Sequence, residues 1–277
     1  MTAARFAPSP TGLLHKGHAF SALTAYETAR RLGGRFVLRI EDIDFTRCRP
    51  DFEVEIYEDL AWLGLTWETP VLRQSEHVAD YLAALQTLIG RGLVYRSFAT
   101  RREIALATLS APHGAPDGYR GAPLSEAEEQ TRLAAGEPFA WRLNLTPAEA
   151  EVGPLSFFEV GEGPAGEQGE IAVDPGPAGD VVLARKDVGV AYHLAVVIDD
   201  ARQEITDVVR GQDLFEATHV QRLLQALLGL PAPRYHHHRL LLGPDGQRLA
   251  KRDRAETLRS FRESGLGAEA LRRELGF

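Results

Sequence analysis

An α/β fold, with a mostly parallel sheet interrupted by an inserted α+β subdomain, is predicted by three observations. Short apolar runs alternate with segments whose apolar residues recur at helical spacing. Glycine and proline turns separate the two kinds of segment. The regular pattern lapses between Ala111 and Gly179 and then returns, as it would if a different unit were spliced into the sheet.

Arg5-Phe6-Ala7 reads as a short buried strand, cut by Pro8-Ser9-Pro10-Thr11-Gly12. Ala19, Leu23, Tyr26 and Ala29 then follow at helical spacing until Gly33-Gly34. Phe36-Val37-Leu38-Arg39-Ile40 is a compact strand. Pro50 and Asp51 open a helix whose Val54, Tyr57, Leu60 and Ala61 share a face and which Gly64 ends. Ser75 is expected to cap the next helix, with Val78, Leu82, Leu85 and Ile89 on its apolar side. In the irregular interior, residues 139–143 read as a strand, and 161–179, rich in Gly, Pro and acid, as a loop. Residues 181–184, 194–198 and 205–209 read as the resumed sheet, followed by a helix carrying Val220, Leu223, Leu224 and Leu227.

With 44% hydrophobic and 25% charged residues among 277, the chain is too apolar for disorder, and its Gly 26 and Pro 16 lack any collagen period. It has no apolar run long enough to span a bilayer and no signal-peptide pattern at its start, so a cytoplasmic location is expected. The single Cys48 forms no internal disulfide and builds no Cys-based zinc site; with no partnering base nearby in sequence, it is expected to be a packed thiol. A net charge of −8 argues against a nonspecific nucleic-acid binder. Between Arg234 and Arg262, however, eight basic residues face Asp245, Asp253 and Glu256. That excess fits either a phosphate-binding surface or a solvated, Arg-rich helix face.

His15-Lys16-Gly17-His18 follows a strand and a turn and opens a helix, where free backbone N–H groups and the helix dipole favour an anion such as phosphate. Gly17 would let a base or ribose approach the backbone, and each imidazole can donate to phosphate oxygens. Alone, the four residues read better as a helix cap with surface histidines than as a phosphate site. A second cationic element, Arg248-Leu249-Ala250-Lys251-Arg252, follows the Pro244-Asp245-Gly246 turn. Lysine is scarce, with only Lys16, Lys186 and Lys251 among 31 basic residues, which weights Lys251 toward a task. Its ammonium would offset charge developing on a phosphate.

These elements, together with RFAPSPTG at 5–12, LRIEDID at 38–44, DLAWLGLTW at 59–67, RQSE at 73–76, YHLAVVIDD at 192–200 and DVVRGQDL at 207–214, resemble the class I glutamyl-tRNA synthetase family in its motif order. The resemblance implies a Rossmann-like parallel sheet. It also implies ATP, bound with Mg²⁺, and L-glutamate, which reacts to glutamyl-adenylate without an enzymic nucleophile. His15, Gly17, His18, Arg248 and Lys251 would bind ATP, with His15, His18 and Lys251 catalytic. Arg5 and Arg210 offer two guanidinium forks for a dicarboxylate. Glu41, assisted by Ser9, would take the ammonium group, and Tyr192 the side-chain carboxylate. Glu41, Asp42 and Asp44 also suggest a divalent-metal cluster, but on a strand Glu41 would face away from the other two. No protein-bound metal is expected.

Only 25 residues follow Arg252, too few for the helical anticodon-binding domains of full glutamyl-tRNA synthetases. The closest resemblance is therefore to the glutamyl-queuosine tRNA(Asp) synthetase branch, whose acceptor is the queuosine base in the anticodon loop of tRNA(Asp). In this scheme residues 1–95 and 181–230 form the two halves of the nucleotide-binding catalytic domain. Residues 96–180 form the inserted acceptor-binding-like subdomain, and 231–277 the KMSKS-like loop and C-terminal helical region. Many relatives bind zinc in the insertion through a CxC pair, a Tyr and a later Cys. Here Ser97, Ala99 and Pro123 take the Cys positions and only Tyr119 remains, so extra apolar packing is expected in place of zinc. His113 reads as an exposed histidine. His236-His237-His238 alternates across a strand and reads poorly as a metal tract. Ala250 and Arg248 replace the family serine and first lysine, and Lys16 sits in a usually apolar slot. The alternatives are a truncated synthetase charging a tRNA 3′ end, a nucleotidyltransferase sharing the HxGH loop, and a non-catalytic RNA-binding relic. No heptad or apolar edge announces a partner, so a monomer is expected.

Overall fold

The structure, a computed structural model, describes residues 2–100, 103–104, 118–185, 189–241 and 256–277. Lys251, Arg248, Ala250, Arg252, His113 and Lys186 lie outside the described residues. Its main sheet begins with β1 (Ala3–Phe6), buried throughout, and β2 (Arg35–Ile40), joined by helix α1 (Lys16–Arg31). Ala19, Ala22, Leu23, Ala25 and Ala29 of α1 are buried against these strands. The small alanines let helix and sheet approach closely. Helix α2 (Pro50–Trp62) starts with proline at a position where its missing N–H costs nothing, and β3 (Leu72–Arg73) pairs with β2 at the sheet edge.

In α3 (Val78–Gly90) the buried residues are Tyr81, Leu85 and Leu88, while Val78 and Leu82 are exposed. The apolar side expected from the sequence is therefore rotated, because the Tyr81 hydroxyl donates to buried Asp199 at 2.8 Å and draws that flank inward. Ser75 does not cap this helix: its N–H and hydroxyl both donate to Asp42, at 2.8 and 2.6 Å.

Next come β4 (Val94–Ser97), α4 (Glu126–Ala134), β5 (Ala140–Leu143), α5 (Leu145–Val152), β6 (Ser156–Glu159), β7 (Gly169–Ala172), β8 (Val182–Arg185) and β9 (Gly189–Val190). Strands β4, β5, β8 and β9 form an antiparallel sheet of their own. The β6–β7 hairpin, placed by sequence inside the insertion, instead extends the main sheet.

Residues 194–198, read as a strand, lie in helix α6 (Tyr192–Arg202). Leu194, Ala195, Val196 and Val197 are all buried, so the run is apolar on every face and its helical period is hidden. Strand β10 (Asp207–Gly211), helix α7 (Phe215–Leu227), strand β11 (Arg234–His238) and helices α8 (Leu258–Glu263) and α9 (Ala268–Leu275) complete the described elements.

The main sheet runs β3-β2-β1-β10-β11-β6-β7 and is parallel except for β7. From β1 the chain winds outward to β2 and β3; after the second sheet it returns beside β1 as β10 and winds the other way to β11. Such a reversal opens a crevice beyond the carboxyl ends of β1 and β10, where ligands of open α/β sheets bind. No helix among the described residues is long and apolar enough to cross a membrane.

Candidate active site

A cavity of about 490 Å³ occupies that crevice. Arg5, Ser9, His15, Gly17, His18, Glu41, Tyr192 and Arg210 all line it, so eight of the ten residues expected from the sequence meet at one place. The other two, Arg248 and Lys251, lie outside the described residues, but the segments on either side of them both reach the site. Leu240 and Leu241 line the cavity, and Thr257 bridges to His15 while Leu258 N–H donates to the Leu14 carbonyl at 2.8 Å.

The loop after β1 is stapled in place, with Glu41 N–H donating to the Pro8 carbonyl and Arg49 N–H to that of Pro10, both at 3.0 Å. His15 is the N-cap of α1, and its Nδ1 accepts from Gly17 N–H at 3.1 Å. His18 Nδ1 accepts in turn from His15 N–H at 3.2 Å, which makes a capping box from two imidazoles whose ring centroids are 3.9 Å apart. Because both Nδ1 atoms are acceptors, each neutral ring carries its proton on Nε2. The capping and phosphate readings are thus compatible. Gly17 has a reason within the fold as well: a Cβ there would lie 2.9 Å from His15 Cε1, so the glycine makes room for the imidazole.

Below the loop lies a buried ionic cluster. Asp200 Oδ1 accepts from Arg5 Nε at 3.1 Å and from Arg39 at 2.8 Å. Arg39, fully buried, also donates to Glu41 Oε1 at 3.2 Å and to Gln203 at 3.0 Å, and its Nε lacks a hydrogen-bond partner. Asp199, 3.9 Å from that Nε, accepts from Gln74 and Tyr81, both at 2.8 Å. Burial pushes the Glu41 carboxyl above its usual range despite Arg39 and Arg5. Asp200 is equally desolvated, but the two guanidiniums hold it below the usual carboxylate range. The strand alternation expected to part Glu41 from Asp42 and Asp44 does not apply, because β2 ends before them; Asp42 accepts from Ser75, and Asp44 from Thr46 and Arg47. Among the described residues no group of three or more His, Cys, Asp or Glu is placed to hold a metal.

Arg210, at the end of β10, sits in a different setting. It donates to Gln221 Oε1 at 2.8 Å, Thr218 Oγ1 at 2.7 Å, His237 Nε2 at 3.1 Å and, more weakly, the Tyr192 hydroxyl at 3.5 Å. These partners are all neutral acceptors, so its charge is directed at the cavity. A second cavity of about 190 Å³ adjoins the first and shares Ser9, Thr11, Glu41 and Tyr192 with it. Cys48 lines this second cavity, its thiol pushed up by burial and by Asp42 and Asp44, as a packed rather than reactive cysteine would be.

Elsewhere the expected features resolve into local packing. His236 pairs with Asp207, His237 with Glu159, and His238 Nε2 with Ser21, so the histidine tract has three separate destinations. The described basic residues of the 234–262 stretch are mostly committed internally: Arg234 to Asp207, Arg259 to Glu55 and Glu263, and Arg262 to Glu55, Glu58 and Asp59. In the second sheet Ser97, Ala99 and Tyr119 gather around a small cavity. A hydroxyl, a methyl and a phenol do not fit a structural zinc, which takes thiolate or imidazole ligands. The Arg96 guanidinium lies 4.4 Å from the Trp141 ring and 5.4 Å from Phe139, and pairs with Glu129; Arg132 lies 5.6 Å from Phe98. Guanidinium–aromatic contacts occupy the region, where additional apolar packing was expected.

The family described as tRNA synthetases class I (E and Q), catalytic domain, matches residues 1–276. The chain belongs to this family. With it, the chain is an aminoacyl-tRNA synthetase-like ligase with a Rossmann-like fold. It is 47% identical to the Glutamyl-Q tRNA(Asp) synthetase of Rhodobacter capsulatus, over 98% of this chain and 99% of that one. To the protein of the same name from Nocardia farcinica it is 44% identical, over 97% of this chain and 82% of the relative. The crystal structure of a glutamate tRNA ligase from Elizabethkingia meningosepticum, in complex with its amino acid, superposes with a TM-score of 0.78 at 27% identity. All of this chain is covered in that superposition, which spans 60% of the ligase.

Sequence reasoning singled out none of Arg39, Glu159 and Asp200, and read His237 only within the histidine tract. The signal for the first three was charge within otherwise apolar segments, where an ionisable residue is rarely buried without a partner.

Proposed function

We propose that the chain activates L-glutamate with ATP to glutamyl-adenylate and transfers the glutamyl group to the queuosine base in the anticodon loop of tRNA(Asp). The observation that carries the first step is the convergence of Arg5, Arg210 and Glu41 on one cavity beside the His15–His18 capping box. Two cations and one anion match a substrate with two carboxylates and one ammonium. Arg210 and Tyr192 take the side-chain carboxylate, Arg5 supports the α-carboxylate, and Glu41 with Ser9 holds the ammonium. ATP enters as its Mg²⁺ complex, with its phosphates along the N-terminus of α1 and the Nε2–H groups of His15 and His18.

An oxygen of the α-carboxylate attacks the α-phosphorus, the bond to the pyrophosphate oxygen breaks, and Lys251 balances the charge that builds on the phosphates. Positioning and electrostatics supply the catalysis; no side chain becomes covalently attached. A nucleophile of the acceptor nucleoside then attacks the activated carbonyl and AMP leaves. The acceptor assignment rests on the similarity to the two Glutamyl-Q tRNA(Asp) synthetases along nearly the whole of this chain.

The test is transfer of labelled glutamate, with ATP, to queuosine-containing and queuosine-free tRNA(Asp). Label on the modified tRNA alone, retained when the 3′-terminal nucleotides are removed, is the expected result. Label that depends on an intact 3′ end would move the acceptor to the terminal ribose.

A further inference from the structure

Among the described residues the proposed chemistry leaves two buried histidines, His219 and His237, without a task, and His237 is the one that touches Arg210. His237 of β11 lies directly opposite Arg210 of β10 in the sheet register, with its side chain fully enclosed. Its Nε2 accepts from Arg210 Nε at 3.1 Å, and its Nδ1 lies 2.6 Å from Glu159 Oε2. Since an arginine Nε–H only donates, Nε2 carries no proton; the proton sits on Nδ1 and is donated to Glu159. The tautomer is fixed by its neighbours.

Glu159 is held just as firmly. Its Oε1 accepts the backbone N–H of Gly161 at 2.8 Å and of His237 itself at 2.9 Å. Gly161 has to be glycine for this, because a Cβ there would lie 2.3 Å from the His237 carbonyl oxygen and 2.9 Å from Glu159 Oε1. The ring is flanked by Tyr235, stacked at 6.1 Å, and by Phe215, edge-on at 5.2 Å, so it cannot turn to offer its other edge.

We infer that His237 is a positioning residue for substrate recognition: its Nε2 lone pair fixes the plane of the Arg210 guanidinium toward the cavity, while Glu159 fixes the ring. A carboxylate placed directly against Arg210 would neutralise it and compete with the substrate. Set one imidazole away, Glu159 compensates the charge at longer range and leaves the cation to an incoming carboxylate. This inference rests on the reading of Arg210 as a glutamate contact.

Two substitutions separate positioning from simple packing. In His237→Gln the amide oxygen reaches the place of Nε2 and can accept from Arg210; in His237→Asn the amide reaches only the place of Nδ1, so Glu159 stays satisfied and Arg210 Nε loses its acceptor. Glutamate-dependent ATP–pyrophosphate exchange reads both. Expected for His237→Asn is a rise of about tenfold or more in KM for glutamate, with KM for ATP moving less than about twofold. His237→Gln restores most of that loss. Should His237→Asn fail to fold, as its melting curve would show, Glu159→Gln is measured in its place, and the same one-sided rise in KM for glutamate is expected. The inference is overturned if Asn and Gln raise KM equally, if KM for glutamate and ATP move together, or if Glu159→Gln, measured in Asn's place, leaves KM for glutamate unchanged. Wild-type exchange that does not depend on glutamate would instead overturn the functional reading, and this inference with it.

Discussion

Arg5 and Arg210 flank the same cavity, yet they are held by opposite means. Arg5 belongs to a cluster in which Arg5 and Arg39 face Glu41, Asp199 and Asp200, one more carboxylate than guanidinium. Arg210 is ringed by Tyr192, Gln221, Thr218 and His237, none of them a carboxylate. The first arrangement has spare negative charge and is completed by a cation. The second has spare positive charge and is completed by an anion. Arranged side by side, they make a polar axis that a zwitterionic substrate with an extra carboxylate can lie along.

The contrast predicts different responses to mutation, and the largest falls on stability. Asp200 is the shared acceptor of Arg5 and Arg39, so Asp200→Asn takes from both buried guanidiniums the one carboxylate they have in common. A loss of about 3–5 kcal/mol in chemical denaturation is expected, the scale seen when one partner of a buried ion pair is removed. A loss below about 1 kcal/mol would mean that the cluster is not desolvated as the fold implies. Arg210→Lys should behave in the opposite way. Its acceptors are neutral, so the melting temperature should shift little, but the fork geometry is lost and KM for glutamate should rise by about one to two orders of magnitude. An equal effect on both quantities would erase the distinction between the two settings.

Acidity offers a sharper version of the same contrast. Burial raises the Glu41 carboxyl, so it is protonated at a higher pH than an exposed glutamate would be. As pH falls through that raised value the carboxyl becomes neutral, the cluster loses its spare negative charge, and the ammonium loses its partner. KM for glutamate should therefore climb on acidification earlier than the titration of a free carboxylate would give, and Glu41→Gln should abolish that dependence while raising KM by about tenfold at neutral pH. A profile unchanged in Glu41→Gln would remove Glu41 from ammonium binding.

Legibility in the sequence followed how local each interaction is. The first strand, α1 and β2 could be read because their apolar residues segregate to one face or into one run, and the HxGH motif because a helix N-terminus is a property of neighbours. The α6 segment was misread as a strand because it is buried on all sides, and α3 was rotated by a single hydrogen bond from Tyr81 to Asp199. Glu41, Tyr192 and Arg210 could be named through their motifs. Their supports could not: Arg39 meets Asp200 across 161 positions of chain, and Glu159 meets His237 only because the β6–β7 hairpin joins the main sheet next to β11. Which strands lie side by side is decided by the whole fold, and no single segment carries that information.

A third setting for arginine, in the second sheet, carries the smallest expected effect. Arg96 has a carboxylate partner in Glu129 and aromatic faces in Phe139 and Trp141, all partly open to solvent. Exposed ion pairs and cation–π contacts each contribute about 0.5–1 kcal/mol, so Arg96→Met, which keeps an unbranched apolar stem over the rings, should cost about 1 kcal/mol. Kinetics of glutamate activation should not change, because nothing links Arg96 to the cavity beside α1. If the stacked rings and guanidiniums hold this region in the way a zinc ion holds others, prolonged chelator treatment should leave the melting temperature unaltered while Arg96→Met lowers it. Stoichiometric zinc that is lost in Tyr119→Phe would reverse that account, since it would show that the phenol and its neighbours bind a metal despite Ala99 and Pro123.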